Sequence, residues 1–448
     1  MITNNSKLIS IYFDKLWPIL RSITGDGVRK THKILKELIP LKTMEIPSGT
    51  KVHDWIVPKE WKLIDAYIVD PKGKKICDVK ENNLHVINYS IPVNKTMSLK
   101  KLQNHLHSIK TMPSAIPYLT SYYGKNWGFC IKQKSRDKLI KGNYKVFINS
   151  RLFNGSMTIS DKVLRGRSKK EILFTTYTCH PSMANNELSG PLVSAFLYKK
   201  ISKLKNRYFT YRFVYHPETI GSIAYLSKKG NYLKKNTFAA YNLTCLGHKS
   251  SPLVYKRSKI GNSISDIVAE KILRKFKKKF IIKDYYPTGS DERQYCSPGY
   301  NLPMGVIMKG VPGKYKQYHT SLDNKKNISI KVLNEMTNIY FEICKCLEKN
   351  KFTLKENFKS ERAVCKIRTK TYLNIKPFCE PHLSKRKLQQ TLGDVRVNRN
   401  EINAIKWLLS YSDGYNDIFS ISKKSGLSVE ILEKKAKECC GKKLLKKI

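Results

Sequence analysis

Three short stretches carry the residue types that could do hydrolytic or metal chemistry. In EILFTTYTCHPSMANNELSG an apolar run ends at His180, and small polar residues and a helix start follow. Asn185 and Asn186 stand five and six residues on, where a carboxylate would be the natural companion of a histidine ligand. In YHPETIGS, Glu218 sits between an apolar strand and a helix start, a place where a site would be assembled. The third stretch, GSDERQYCSPGYNLPMGVIMKGVPGKYKQYHTSLDN, offers Asp291, Glu292 and Arg293, then His319 and Asp323. Zinc takes nitrogen, sulfur and oxygen donors, and a catalytic ion keeps one position open. A single loop histidine is commonly structural, whereas two in loops after apolar strands, His180 and His319, point to a metal.

Such residues need a scaffold. From about residue 150 to 350, apolar strands alternate with amphipathic helices: EILFTTYTC, YFTYRFVYH, FAAYNLTCL and LPMGVIM are separated by GPLVSAFLYKKISKL, GSIAYLSKKG and ISDIVAEKILRKF. Strands spaced by helices of this length make βαβ units, so an α/β domain with a mostly parallel central sheet is predicted. Ligands of such sheets lie at the carboxyl ends of the strands, and His180 is at one of them. Residues 1–41 read as a helical entry that joins 150–360 in this domain. Short alternating runs between Pro, Gly and Asn-Asn turns make 42–149 an inserted β-rich domain. Residues 381–448 contain SISKKSGLSVEIL, a helix, a turn at Gly426 and a second helix, which predicts a winged-helix-like domain.

Composition sets limits on function. A chain of 448 residues with 41% hydrophobic content can build two or three cores. It opens on no apolar leader and has no run of about 18 apolar residues, so a cytoplasmic protein without a membrane span is expected. Eleven scattered cysteines lack the paired C-x₂-C spacing of structural zinc sites and argue against a disulfide framework. The formal charge of +51 would favour nucleic acid if it were clustered. Its lysines are instead spread along the whole chain among Asn and Ile, as a compositional bias on solvated faces would spread them.

The motifs C-H-P-S-x-x-N-x-x-L-S-G, P-E-T-I-G-S, G-S-D-E-R-Q and Y-H-T-S-x-D-N resemble those of zinc aminopeptidase-like proteins. Within that clan the similarity is to a bacterial family with an inserted β domain and a C-terminal winged helix. The resemblance runs over essentially the whole chain, including NLHVINYSIPVNKTMSL and AIPYLTSYYGKNWGFC in the insert.

The resemblance implies a zinc hydrolase acting on a peptide or amide bond through metal-bound water. His180 and His319 match the histidine ligands, and Glu218 matches the base. Three departures reduce the metal count to one zinc at most. Thr219 stands at the clan's second glutamate, Thr244 at about its later aspartate, and Asn186 at the position where the family's aspartate is expected. A neutral amide is a weak zinc ligand, so restoring a carboxylate at Asn186 is expected to raise affinity. Glu187, Asp291 and Glu292 are candidate substitute ligands, and Arg293 could meet a substrate carboxylate or pair with Asp291 or Glu292. Simpler roles are a helix cap for Asp291, a solvated loop carboxylate for Glu218, and a cap of the following helix for Asp323. The alternative function is a catalytically impaired member of the family that binds a ligand in the cleft or nucleic acid through the winged helix. Expected partners are a peptide or amide small molecule, with nucleic acid and a homo-oligomer as further options and no membrane.

Overall fold

The computed structural model describes residues 4–276, 279–350, 370–389 and 399–448. An eight-stranded sheet forms its centre: β1 (Lys42–Pro47), β2 (Ser156–Leu164), β3 (Glu171–Tyr177), β4 (Thr210–His216), β5 (Thr237–Asn242), β6 (Leu253–Lys256), β7 (Phe280–Lys283) and β8 (Met304–Lys309), in spatial order β1-β2-β4-β3-β5-β8-β6-β7. The four middle strands β4, β3, β5 and β8 are parallel, as the alternation of strands and helices predicts. Antiparallel pairs flank them at β1/β2, β2/β4 and β8/β6.

Every residue of β3 is buried, so its side chains feed two cores in turn. Ile172 and Phe174 pack on the side of α1 (Asn4–Leu16), α3 (Ser189–Ile201), α5 (Ile264–Lys275) and α6 (Ile330–Lys349). Leu173 faces α4 (Ile220–Asn236). A short helix, α2 (Asp26–Leu35), closes the entry segment.

Strand β1 pairs with β2, so residues 42–47, assigned from sequence to the insert, lie in the large sheet. The insert has its own four-stranded antiparallel sheet, ordered Lys75–Ile76, Glu60–Val69, Asn143–Phe153, Val93–Ser98. At the C-terminal end, helices Arg399–Tyr411, Ile418–Ser425 and Val429–Gly441 carry a three-stranded sheet of Thr371–Asn374, Asp413–Asp417 and Leu445–Lys447. Gly426 makes the turn between the last two helices at φ 70°, where a residue with a Cβ would be strained. The first strand of this unit, Thr371–Asn374, precedes the expected start at 381, and residues 390–398 lie outside the described residues.

The same core cluster runs from Trp61 and Ile148 of the insert through Ile223 and Leu226 of α4 to Leu408, Ile418 and Leu432 of the C-terminal unit. The ten described cysteines are free thiols, and Cys365 lies outside the described residues. No helix among the described residues is long and apolar enough to cross a membrane.

Candidate functional site

The carboxyl ends of the parallel strands converge on one place, and the backbone there is under strain. Ser182 follows β3 at φ 44°, Thr219 follows β4 at φ 63°, and Cys245 follows β5 at φ 53°. His319 in a further loop has φ 53°. The left-handed region is unfavourable for residues with a Cβ, and such residues persist where the surroundings over-determine them, commonly at functional sites.

His180 is 4% exposed and fixed through its Nδ1 side. Glu187 Oε2 lies 3.1 Å from Nδ1 and also accepts the His180 backbone N–H at 3.0 Å. Glu187 comes into reach because the chain from Ala184 to Leu188 makes a wide π-helical turn before α3. Behind it Arg21, fully buried, donates through Nε to the His180 carbonyl at 2.8 Å and stands 3.5 Å from Glu187 Oε1. Burial pushes the Glu187 carboxyl up to about 8, with Arg21 opposing. Burial and then the Arg21 charge push the His180 imidazole down to about 3, so it is neutral and able to act as a ligand.

On its other side His180 Nε2 is 3.5 Å from Glu218 Oε2. Burial first, then the neighbouring Asp291 charge, raise the Glu218 carboxyl to about 8, against the pull of Arg293. The His319 ring lies 5.3 Å from the His180 ring, centroid to centroid, between Tyr318 and Tyr118. Its buried Nε2 has no hydrogen-bond partner. Burial, then His180, drive this imidazole well below its ordinary pKa, which leaves a neutral, unsatisfied nitrogen.

One divalent cation suits this donor set. Two neutral imidazoles and a carboxylate face a common cavity, and an orphaned buried nitrogen is what an absent ligand partner leaves. Among the described residues, the donor atoms that all lie within 4.8 Å of one another belong to Cys179, His180 and Glu187. That group is on the Nδ1 side, where Arg21 would repel a cation, so its geometry orients the ring rather than holding a metal. A second ion finds no charged oxygen at the three departures. Asn186 Oδ1 accepts from Tyr177 Oη at 3.1 Å, Thr244 Oγ1 is 2.7 Å from the same hydroxyl, and Thr219 Oγ1 accepts from Arg293 Nη2 at 2.8 Å.

The remaining candidates divide. Asp291 is buried behind Glu218, where Oδ1 accepts from the Thr219 N–H and the Ser222 hydroxyl, both at 2.7 Å. It thus caps the start of α4, and its own short helix, Glu292–Tyr295, has no side-chain cap. Glu292 is turned away to Lys256 Nζ, 2.6 Å off. Arg293 pairs directly with neither of its acidic neighbours but with Glu380, Nε to Oε2 at 2.8 Å. Asp323 does not cap the following helix, since Ser329 caps α6. Its carboxylate accepts the N–H groups of Asn185 and Asn186 at 2.9 and 2.8 Å and so pins the π-helical turn.

The cavity over these residues holds about 260 Å³ and is walled by all three parts of the chain. The α/β domain supplies His180, Glu218, Arg293 and His319, and the insert supplies Trp55, Tyr118, Tyr122 and Tyr123. Glu380, Leu383 and Lys406 come from the C-terminal end. Sequence reasoning passed over Arg21, the aromatic wall, Glu380 and Lys406. The one available signal was Arg21 itself, a lone charge in WPILRSIT.

A family model described as a domain of unknown function, DUF4910, matches residues 11–350, and a winged helix-turn-helix model matches 370–447. A Clostridium acetobutylicum protein named "putative polysaccharide biosynthesis protein with aminopeptidase-like domain" is 44% identical over 414 residues, 92% of this chain and 90% of that protein. The crystal structure of a "putative peptidase" from Clostridium acetobutylicum covers 100% of this chain and 98% of its own, at 41% identity and a TM-score of 0.75. A zinc aminopeptidase from Bacillus subtilis shares the fold with a TM-score of 0.57 at 12% identity, over 80% of this chain and 99% of its own.

Proposed function

The chain belongs to the aminopeptidase-like DUF4910 family with a C-terminal winged helix, and from that premise we propose that it is a zinc-dependent hydrolase of small peptides or amides. The reading assigns one zinc ion to His180 and His319, facing Glu218. The observation that carries it is the convergence of an oriented His180 Nε2, an unpartnered His319 Nε2 and a carboxyl shifted to about 8 on one cavity.

A bound zinc ion supplies Lewis acidity toward an amide carbonyl and lowers the pKa of a water. The rest of the chemistry belongs to the chain. Glu218 takes the proton of the attacking water and returns it to the leaving amine, a role favoured by a carboxyl that exchanges protons near neutral pH. Glu187 holds Nδ1 of His180 and so keeps Nε2 toward the cavity. Tyr118, Tyr122 and Tyr123 exclude bulk water, and a cavity of about 260 Å³ suits substrates of one or two residues.

The test is hydrolysis of a panel of aminoacyl amides by zinc-loaded wild type and Glu218→Gln. Loss of about 10²- to 10⁴-fold in kcat at unchanged zinc content is expected. A wild type without activity on any member, or a variant as active as wild type, would contradict the proposal.

A further inference from the structure

We propose that Lys406, carried into the cavity by the C-terminal unit, anchors a carboxylate on the substrate, so that the preferred substrates are small amides bearing a free acid group. The substrate class rests on the hydrolase reading above; the binding of a carboxylate does not.

Lys406 projects from helix Arg399–Tyr411 into the wall of the cavity that holds His180 and Glu218. Its side chain is 17% exposed, and its partner Glu380 Oε1 is 3.8 Å away, longer than a hydrogen bond. Glu380 Oε2 accepts from Arg293 Nε at 2.8 Å and from Gln294 Nε2 at 3.5 Å, which leaves its Oε1 facing Lys406. Arg293 uses three further N–H donors on the carbonyls of Gly289 and Ser290 and on Thr219 Oγ1. Of the nearby acids, Asp291 accepts through Oδ1 from Thr219 and Ser222, and Glu218 faces His180 across the cavity. Lys406 Nζ thus has an ion-pair partner in Glu380 Oε1 but no hydrogen bond among the described residues, so its three donors can reach an acceptor in the cavity.

Arg293 and Lys406 both stand beside the Glu380 carboxylate, and Arg293 also lies near Glu218 and the buried Asp291. A partly desolvated ammonium favours a counter-charge. The Glu380 carboxylate pulls the Lys406 ammonium up, yet burial and the Arg293 charge outweigh it and leave it below its ordinary value. Glu218 and Lys406 border one cavity, so a small molecule can place its amide at the first and its acid group at the second.

The experiment is calorimetric binding of N-acetyl amino acids and the matching N-acetyl amino acid amides to the full chain, in wild type, Lys406→Gln and Lys406→Arg. Wild type should bind the acids more tightly, Lys406→Gln should lose about 10- to 100-fold on the acids alone, and Lys406→Arg should retain most of the preference. Acids bound no better than amides, a preference that survives in Lys406→Gln, an equal loss on both series, or no binding by any acid would each overturn the proposal. Hydrolysis is not the readout, so an inactive protein that still prefers acids would defeat the hydrolase reading and leave this one intact.

Discussion

Glu187, one position beyond the expected carboxylate site, is the residue that meets His180, and it does so at the ring nitrogen turned away from the cavity. Asn186 turns its side-chain oxygen to Tyr177 and its amide nitrogen to Met183 Sδ, 3.6 Å away. Glu187→Gln is therefore expected to weaken zinc binding by about 10- to 100-fold, as loss of a carboxylate that orients a ligand histidine commonly does. Asn186→Asp is expected to leave the stoichiometry unchanged, contrary to the gain that sequence alone suggests. Competition with a chromogenic chelator measures both. His180, His319 and Glu218 were legible because each follows an apolar run. The roles of residues 186 and 187 were not, because a π-helical turn shifts which side chain faces the strand end and nothing in ANNELSG announces the extra residue.

The elements behind the site are held by close approach and by buried polar joints. A Cβ on Gly190, in the first turn of α3, would lie 2.3 Å from both Leu243 O and Thr176 Oγ1 at the ends of β5 and β3. Gly190→Ala should thus lower stability by about 3 kcal/mol, the upper range for overpacking against backbone, with the denaturation midpoint as the check. His32 ties α2 to the sheet, Nδ1 to Ser160 Oγ and Nε2 to Thr178 Oγ1, both at 2.8 Å. Burial, then the charges of Lys36 and His216, push His32 down to about 3. Between pH 6.5 and 3 the unfolded chain therefore binds a proton that the folded chain refuses. The His32 contribution is present above pH 6.5 and is lost as pH falls, by up to about 1.4 kcal/mol per unit. Unfolding free energy against pH should be correspondingly shallower in His32→Gln than in wild type. The alternation of strands and helices was readable from periodicity, but the pairing of β1 with β2 was not, because a six-residue strand carries no mark of which sheet it joins.

On the scale of the whole molecule, the C-terminal unit is docked onto the insert and the α/β domain at once. Asp54 accepts from the His382 N–H at 2.8 Å and pairs with Arg386, Nη2 to Oδ1 at 2.9 Å. Trp55 stacks on His382 with ring centroids 4.1 Å apart and donates to the Glu380 carbonyl at 2.7 Å. Asp54→Ala and Arg386→Ala should each speed proteolytic release of residues 370–448, and the double variant should be little worse than either, a coupling of about 1–3 kcal/mol. The helix-turn-helix in SISKKSGLSVEIL could be read from its glycine and spacing. Its place at the cavity could not, since contacts such as Asp54 with Arg386 span hundreds of residues and leave no periodic trace. The claim on which the rest depends is a single zinc ion on His180 and His319, and metal analysis of the full chain after saturation with zinc and gel filtration tests it most directly. About one zinc per chain is expected in wild type and none in a folded His180→Ala/His319→Ala variant. Two zinc ions per chain, or stoichiometric zinc retained by the double variant, would contradict it.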